Sequence, residues 1–176
     1  MLTNTKYNFL VQQYKNRIYN YSVLMLKNKM DAEDVTQEVL IRIWKNLENF
    51  NILAAKTWIM KTTHNLCLDY LRKRKNDFSK NPYSVDDISD IIENKDDENP
   101  IKKLENKIIE EKIKMKIQEL PENLKSVFAL YEIQGLKYKE ISKALDIPIN
   151  SVKVYLLRAR KQLQEELNKS KLHEVA

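Results

Sequence analysis

Gly135 is the only glycine in 176 residues, and that count limits what the chain can become more than any other feature. Tight hairpins and many turns need positive φ, which glycine supplies without steric cost, so a sandwich or barrel is disfavoured. The same count removes the phosphate cradles. A P-loop, a dinucleotide fingerprint and a nucleophile elbow each require more than one glycine at fixed spacing. A chain of this length makes one medium domain or two small ones, and small cores suit helices with local contacts.

Helical periodicity is plain. Tyr7, Val11, Tyr14, Ile18, Tyr21 and Met25 step by four and three, as do Val35, Val39, Ile43 and Leu47. The second run has Asp31 as its expected N-cap, with Glu33 and Asp34 in a first turn where the helix dipole favours them. A third helix is expected over 56–74, with Ile59, Thr63, Leu66 and Tyr70 inward, ending in Arg72, Lys73, Arg74 and Lys75. Further on, Asn99 and Pro100 start a helix whose stripe is Leu104, Ile108, Ile109, Ile113, Ile117 and Leu120. The next helix closes with Gly135 at its C′ position. The expected fold is all-α, with two small helical domains at 1–80 and 101–176 joined by a linker at 81–100.

Charge supports that division. Residues 1–80 hold 14 Lys or Arg against 7 Asp or Glu, and 101–176 hold 16 against 11. The linker NPYSVDDISDIIENKDDENP holds 1 against 7, and carries Pro82 and Pro100 with no helical stripe. Two basic blocks around an acidic insert point to a polyanionic partner.

The second block contains a helix-turn-helix pattern. Tyr138 to Leu145 is a short helix with Ile141, Ala144 and Leu145 inward, Asp146-Ile147-Pro148 is a turn, and a longer helix begins at Asn150. In it Val152, Leu156, Ala159 and Leu163 face inward, leaving Ser151, Val154, Tyr155, Arg158 and Lys161 outside. Such a second helix presents its first turns to base edges in the major groove. Lys153, Arg158, Arg160 and Lys161 suit phosphates and guanine edges.

The stretches DAEDVTQEVLIRIWKNLENF (31–50) and TWIMKTTHNLCLDYLRKRKN (57–76) resemble region two of the bacterial sigma factors, and residues 120–167 resemble region four. The pattern Asp-Ala-Glu-Asp followed by Gln37, Glu38 and Trp44, and Asn65-x-x-x-Asp69-x-x-Arg72, carry the first resemblance. The order and short linker are similar to the extracytoplasmic-function group, which keeps only these two domains. The resemblance implies a transcription initiation factor with no cofactor. It would bind the β′ and β subunits of core RNA polymerase, direct them to promoter DNA and assist melting, held in check by an anti-sigma partner.

Carried over position by position, the resemblance puts polymerase binding on Asp34, Gln37, Glu38, Ile41 and Arg42. The residues themselves agree: Asp34, Gln37, Glu38 and Ile41 share one outward helical face, opposite Val35 and Val39. Minus-ten DNA would fall to Phe50, Asn51, Lys56, Thr57, Trp58, Lys61, Asn65, Arg72 and Arg74, because an unpaired base asks for aromatic surfaces and a basic groove. Trp58 is also placed for the core, and Asp69 to pair with Arg72. Minus-thirty-five DNA would fall to Ser151, Lys153, Val154, Tyr155, Leu157, Arg158 and Lys161. Several residues depart from the family pattern: Val154 for a serine, Tyr155 for an arginine, Asp146 for the turn glycine, Thr62 and Thr63 for an apolar pair, and His64 for a basic residue. Asp146 fits because Asp visits the left-handed region more readily than most residues. The linker, in this reading, threads toward the RNA exit channel and mimics RNA until the transcript displaces it.

The rival reading is a two-domain helix-turn-helix regulator that binds duplex DNA without serving a polymerase. A metal enzyme is remote, since His64 and Cys67 supply two ligands with no third or fourth indicated, and a lone cysteine permits no disulfide framework. The amino terminus shows no secretory signal, and no apolar run approaches the length of a membrane span, so a soluble, cytoplasmic chain is expected.

Overall fold

The computed structural model describes residues 2–49, 51–78 and 100–175, and every regular element among them is helical. α1 (Leu2–Leu26), α2 (Lys29–Lys45) and α3 (Ile52–Phe78) make the first bundle, with a 3₁₀ turn at Leu47–Asn49. α4 (Pro100–Glu119), α5 (Glu122–Phe128), α6 (Tyr138–Leu145) and α7 (Ile149–Val175) make the second. Residues 81–99 of the acidic linker lie outside the described residues, and with them the RNA-mimic reading.

The periodic positions do become the core. Tyr14, Ile18, Tyr21 and Met25 of α1 are buried against Val35, Val39, Ile43 and Leu47, and against Ile59, Met60 and Leu66 of α3. Buried hydroxyls are satisfied one turn back, Ser22 Oγ donating to the Ile18 carbonyl, Thr36 Oγ1 to Ala32 and Thr63 Oγ1 to Ile59. Thr63 thus occupies an apolar slot without an orphaned polar group.

Helix starts differ from expectation for local reasons. α2 begins at Lys29, two residues before Asp31, because Asn28 is the N-cap: its Oδ1 accepts the Asp31 N–H at 2.9 Å. Lys27 takes φ 53 to turn the chain between α1 and α2. α3 starts at Ile52, four residues earlier than expected, since Asn51 Oδ1 accepts the Leu53 N–H at 3.0 Å. α5 continues through a π-helical turn at Ala129–Ile133, in which the Gln134 N–H reaches the Ala129 carbonyl at 2.9 Å. Gly135 then reverses the chain at φ 67.

The stripe on α4 divides. Ile117 and Leu120 are buried, but Leu104, Ile108, Ile109 and Ile113 remain exposed among the described residues. The carboxyl half of the helix meets α7, with Lys116 Nζ 3.6 Å from Glu166. Periodicity defines an apolar face; it does not supply the partner.

The two bundles are packed on one another, α6 against α3 and α4 and α5 against α1, through a shared buried cluster. Lys56 Nζ donates to the Gly135 carbonyl at 3.0 Å, and Gln134 Nε2 donates to the Arg17 carbonyl at 3.3 Å. No helix among the described residues is long and apolar enough to cross a membrane.

Candidate functional site

Three outward surfaces carry the candidate residues. On α2 the inward residues Val35, Val39 and Ile43 are fully buried, which forces Asp34, Gln37, Ile41 and Arg42 outward, with Glu38 half-buried. Glu38 Oε1 accepts from Arg42 Nε at 2.8 Å along the helix. Ile41 is 47 % exposed and Trp44 48 %. The Trp44 ring meets Tyr7 edge-on, centroids 5.0 Å apart at 81°. An apolar patch of this kind inside a charged rim is built like the centre of a helix-to-helix contact. The resemblance does not place Trp44 among the polymerase-binding residues, although its spacing of three from Ile41 puts it on the same face.

The second surface follows the start of α3 and its outer side. Asn51, Lys61, Asn65 and Arg72 are exposed, while Lys56, Thr57 and Trp58 are half-buried. Phe50 lies outside the described residues. Trp58 leans on the core, so its ring is not a bare stacking platform. Arg72 Nη1 donates to Asp69 Oδ1 at 3.3 Å, the expected pairing within the helix. Arg74 differs from the rest: Nη1 donates to the Leu26 carbonyl at 2.6 Å, and Nη2 pairs with the Asp31 carboxylate. Its guanidinium ties the end of α3 to the α1–α2 corner, a use inside the bundle that competes with DNA contact. Exposed apolar residues frame this surface, Leu53 at 91 % and Ile52. No periodicity flags them, since exposure at a helix start leaves no trace in spacing.

His64 sits on the inner side of the same helix. Its Nδ1 lies 2.9 Å from the Tyr21 hydroxyl, and burial pushes the imidazole down to about 4, so the ring is neutral. Burial pushes the neighbouring Cys67 thiol up to about 12. The thiol is inert, and no group of three His, Cys, Asp or Glu among the described residues is placed to hold a metal.

The third surface is the exposed side of α7. The turn before it holds Asp146 at φ 55, and Ser142 Oγ donates to the Ile147 carbonyl at 2.6 Å, fixing the angle between α6 and α7. Val152, Leu156, Ala159 and Leu163 are buried. Lys153, Val154, Leu157, Arg158 and Lys161 are exposed, and Ser151 and Tyr155 half-buried. Leu157, 69 % exposed, is an apolar residue on a basic face, suited to a thymine methyl. Arg160 is engaged elsewhere. Its Nε donates to Glu132 Oε1 at 2.8 Å and its guanidinium lies 5.4 Å over Tyr131, which stacks on Tyr138. That charge fastens α7 to the end of α5, contrary to its expected place among phosphate contacts.

At the seam, His64 of α3 and Tyr155 of α7 line one cavity of about 130 Å³ with Glu122, Asn123, Ser126, Leu145 and Ile147. Lys125 is buried beside it; burial pushes its ammonium down to about 8, and Lys27 adds to that while Glu122 opposes it.

Comparison with known proteins gives a consistent pattern. Residues 10–76 match the family model for sigma-70 region 2, and residues 110–163 that for sigma-70 region 4. The chain is 30% identical over 160 residues to the ECF RNA polymerase sigma factor SigM of Bacillus subtilis, covering 91% of this chain and 94% of the relative. It is 32% identical over 169 residues to SigW of the same organism, covering 90% and 87%. In fold it resembles the sigma factor RpoE from Bartonella quintana, solved in complex with the anti-sigma factor NepR. The TM-score is 0.72 at 18% identity, over 92% of this chain and 96% of that one.

Proposed function

The chain belongs to the extracytoplasmic-function group of the sigma-70 family, and we propose a division of its work between three helices. It is a transcription initiation factor that binds core RNA polymerase and directs it to promoters, a regulator of transcription rather than a classical enzyme. It works where the polymerase and chromosome are, in the cytoplasm. Residues 1–80 serve as region two, 81–100 as linker and 101–176 as region four.

In region two, α2 docks on the polymerase through Asp34, Gln37, Glu38, Ile41 and Arg42, with Trp44 extending the apolar centre. What supports this is an exposed isoleucine and tryptophan on a helix whose opposite side is fully buried. The β′ and β subunits are the proposed partners. Along α3, Asn51, Lys56, Thr57, Lys61, Asn65 and Arg72 take the separated minus-ten strand, and Arg74 holds the helix that presents them. In region four, Ser151, Lys153, Val154, Tyr155, Leu157, Arg158 and Lys161 read the minus-thirty-five duplex. An anti-sigma factor is a proposed further partner, as for the Bartonella relative.

The observation that carries the reading is the coexistence, in one chain, of regions two and four with an open apolar face on α2. A regulator acting on duplex DNA alone has no use for that face. The test is initiation from a promoter library by core polymerase plus this chain. The reading expects discrete start sites and permanganate-reactive thymines; duplex binding without either favours the regulator.

A further inference from the structure

A lysine seldom lies inside a protein without a carboxylate to pair with. Lys125 does. It is 7 % exposed on α5, between Leu124 and Ser126, which are buried as well. Consecutive buried positions on a short helix mean cover on more than one side, here from α1 and from α7. The Lys125 ammonium has no hydrogen bond or ion pair among the described residues. Glu122, one turn back on α5, attracts it without forming an ion pair, and Lys27, exposed at the α1–α2 corner, repels it more strongly. Glu122, Asn123 and Ser126 line the seam cavity of about 130 Å³, so this lysine stands beside open volume. His64, which also lines that cavity, is neutral and adds no charge.

These surroundings select a chemistry. An amine attacks an electrophile only as the free base. At about pH 7.5 an ordinary lysine, near 10.5, has about one amine in a thousand unprotonated; at about 8 the fraction is about a quarter. Cover by two helices keeps out a bulky acyl donor, whereas a small uncharged gas can enter. The product must also be tolerated where it forms. A carbamate is an anion, so beside Lys27 it turns a repulsion into an attraction, with Glu122 the weaker, opposing charge. The cavity has room for its oxygens and for water to solvate them.

We propose that Lys125 is a carbamate-forming site: carbon dioxide adds to its amine at the seam cavity, and the Lys27 ammonium balances the anion produced. The nitrogen lone pair forms an N–C bond, one C=O π pair moves onto oxygen, and a proton leaves nitrogen for solvent. Thus R–NH₂ and CO₂ give R–NH–COO⁻ and H⁺, with no oxidant, reductant or further reactant. Loss of carbon dioxide reverses the step. The chain thereby carries a charge-inverting modification between α1 and α5, independent of the assignments to polymerase and DNA.

The test equilibrates the full chain with ¹³C-labelled bicarbonate and carbon dioxide at about pH 7.5, traps carbamates with triethyloxonium and maps them by peptide mass spectrometry. The Lys125 peptide should carry the label at about tenfold the level of any other lysine. An α-amino group also forms carbamates, and the mapping keeps it apart. Lys125→Arg, which preserves stem and charge, should erase the Lys125 label and its ¹³C resonance. Lys27→Met, at an exposed position, should lower Lys125 occupancy about threefold, since it both reprotonates the amine and removes the balancing charge. Unfolding in urea should abolish the preference. No adduct at Lys125, label spread evenly over the lysines, or occupancy indifferent to Lys27→Met overturns the site. Acetyl phosphate in place of carbon dioxide should show no preference for Lys125; selective acetylation there would overturn the assignment to carbon dioxide.

Discussion

The outer faces of α2 and α3 belong to the same bundle and rest on the same core, yet they are available to different degrees. On α2, Ile41 and Trp44 stand open within a rim of Asp34, Gln37 and Arg42. On α3, Lys56 is bound to Gly135, Trp58 leans inward and His64 closes on the second bundle. Two helices amphipathic in the same way thus differ in access: the face proposed for polymerase stands open, whereas part of the face proposed for DNA lies against the second bundle.

The largest effect expected is on the α3 side and is driven by acid. His64 has its folded value lowered to about 4 from an ordinary 6.5, so its contribution is present above about pH 6.5 and is lost as pH falls toward 4. The shift corresponds to at most about 3 kcal/mol. Urea unfolding at pH 7 and pH 4.5 measures it, and His64→Gln should flatten the difference. An equal acid loss in that variant would show that the sensitivity lies elsewhere in the bundle.

Next comes the α2 face. Ile41→Glu should weaken core-polymerase affinity by about 2 kcal/mol, roughly 30-fold, as an interface centre does. Because Ile41 is exposed, the melting temperature should hold. A fluorescence titration beside a thermal melt separates the two, and loss of folding would erase the contrast between the faces. Arg158→Ala on α7 should cost about 1–3 kcal/mol at one base step if the contact is bidentate, read as altered specificity in a competition against single-base variants. Uniform weakening would assign Arg158 to phosphate. The smallest effect is expected at Glu132→Gln, which breaks the exposed pair with Arg160 and should lower stability by no more than about 1 kcal/mol.

Much of this was legible in the chain. One glycine and stripes at helical spacing are enough for an all-α class, since both act within a few residues. The outward set on α2 and the Asp69–Arg72 pair follow from i, i+3 and i, i+4 geometry alone. What spacing does not hold is contact at long separation. Arg74 and Asp31 are 43 residues apart, and Lys56 and Gly135 are 79 apart, so both lysine and arginine read as solvent-facing DNA ligands. Arg160 misleads for the same reason, as its partner Glu132 comes from another helix. Asn28 and Asn51 move helix starts through single side-chain caps that compete with equally plausible neighbours. The exposed stripe of α4 shows the converse, a clear pattern in which Leu104, Ile108, Ile109 and Ile113 stay exposed among the described residues.

The most direct measurement is gel filtration of the purified chain with core RNA polymerase, before any promoter is added. The account predicts stoichiometric co-elution for the wild type and for Lys56→Met, with loss confined to Ile41→Glu. Separate elution of the wild-type chain and the polymerase would contradict it.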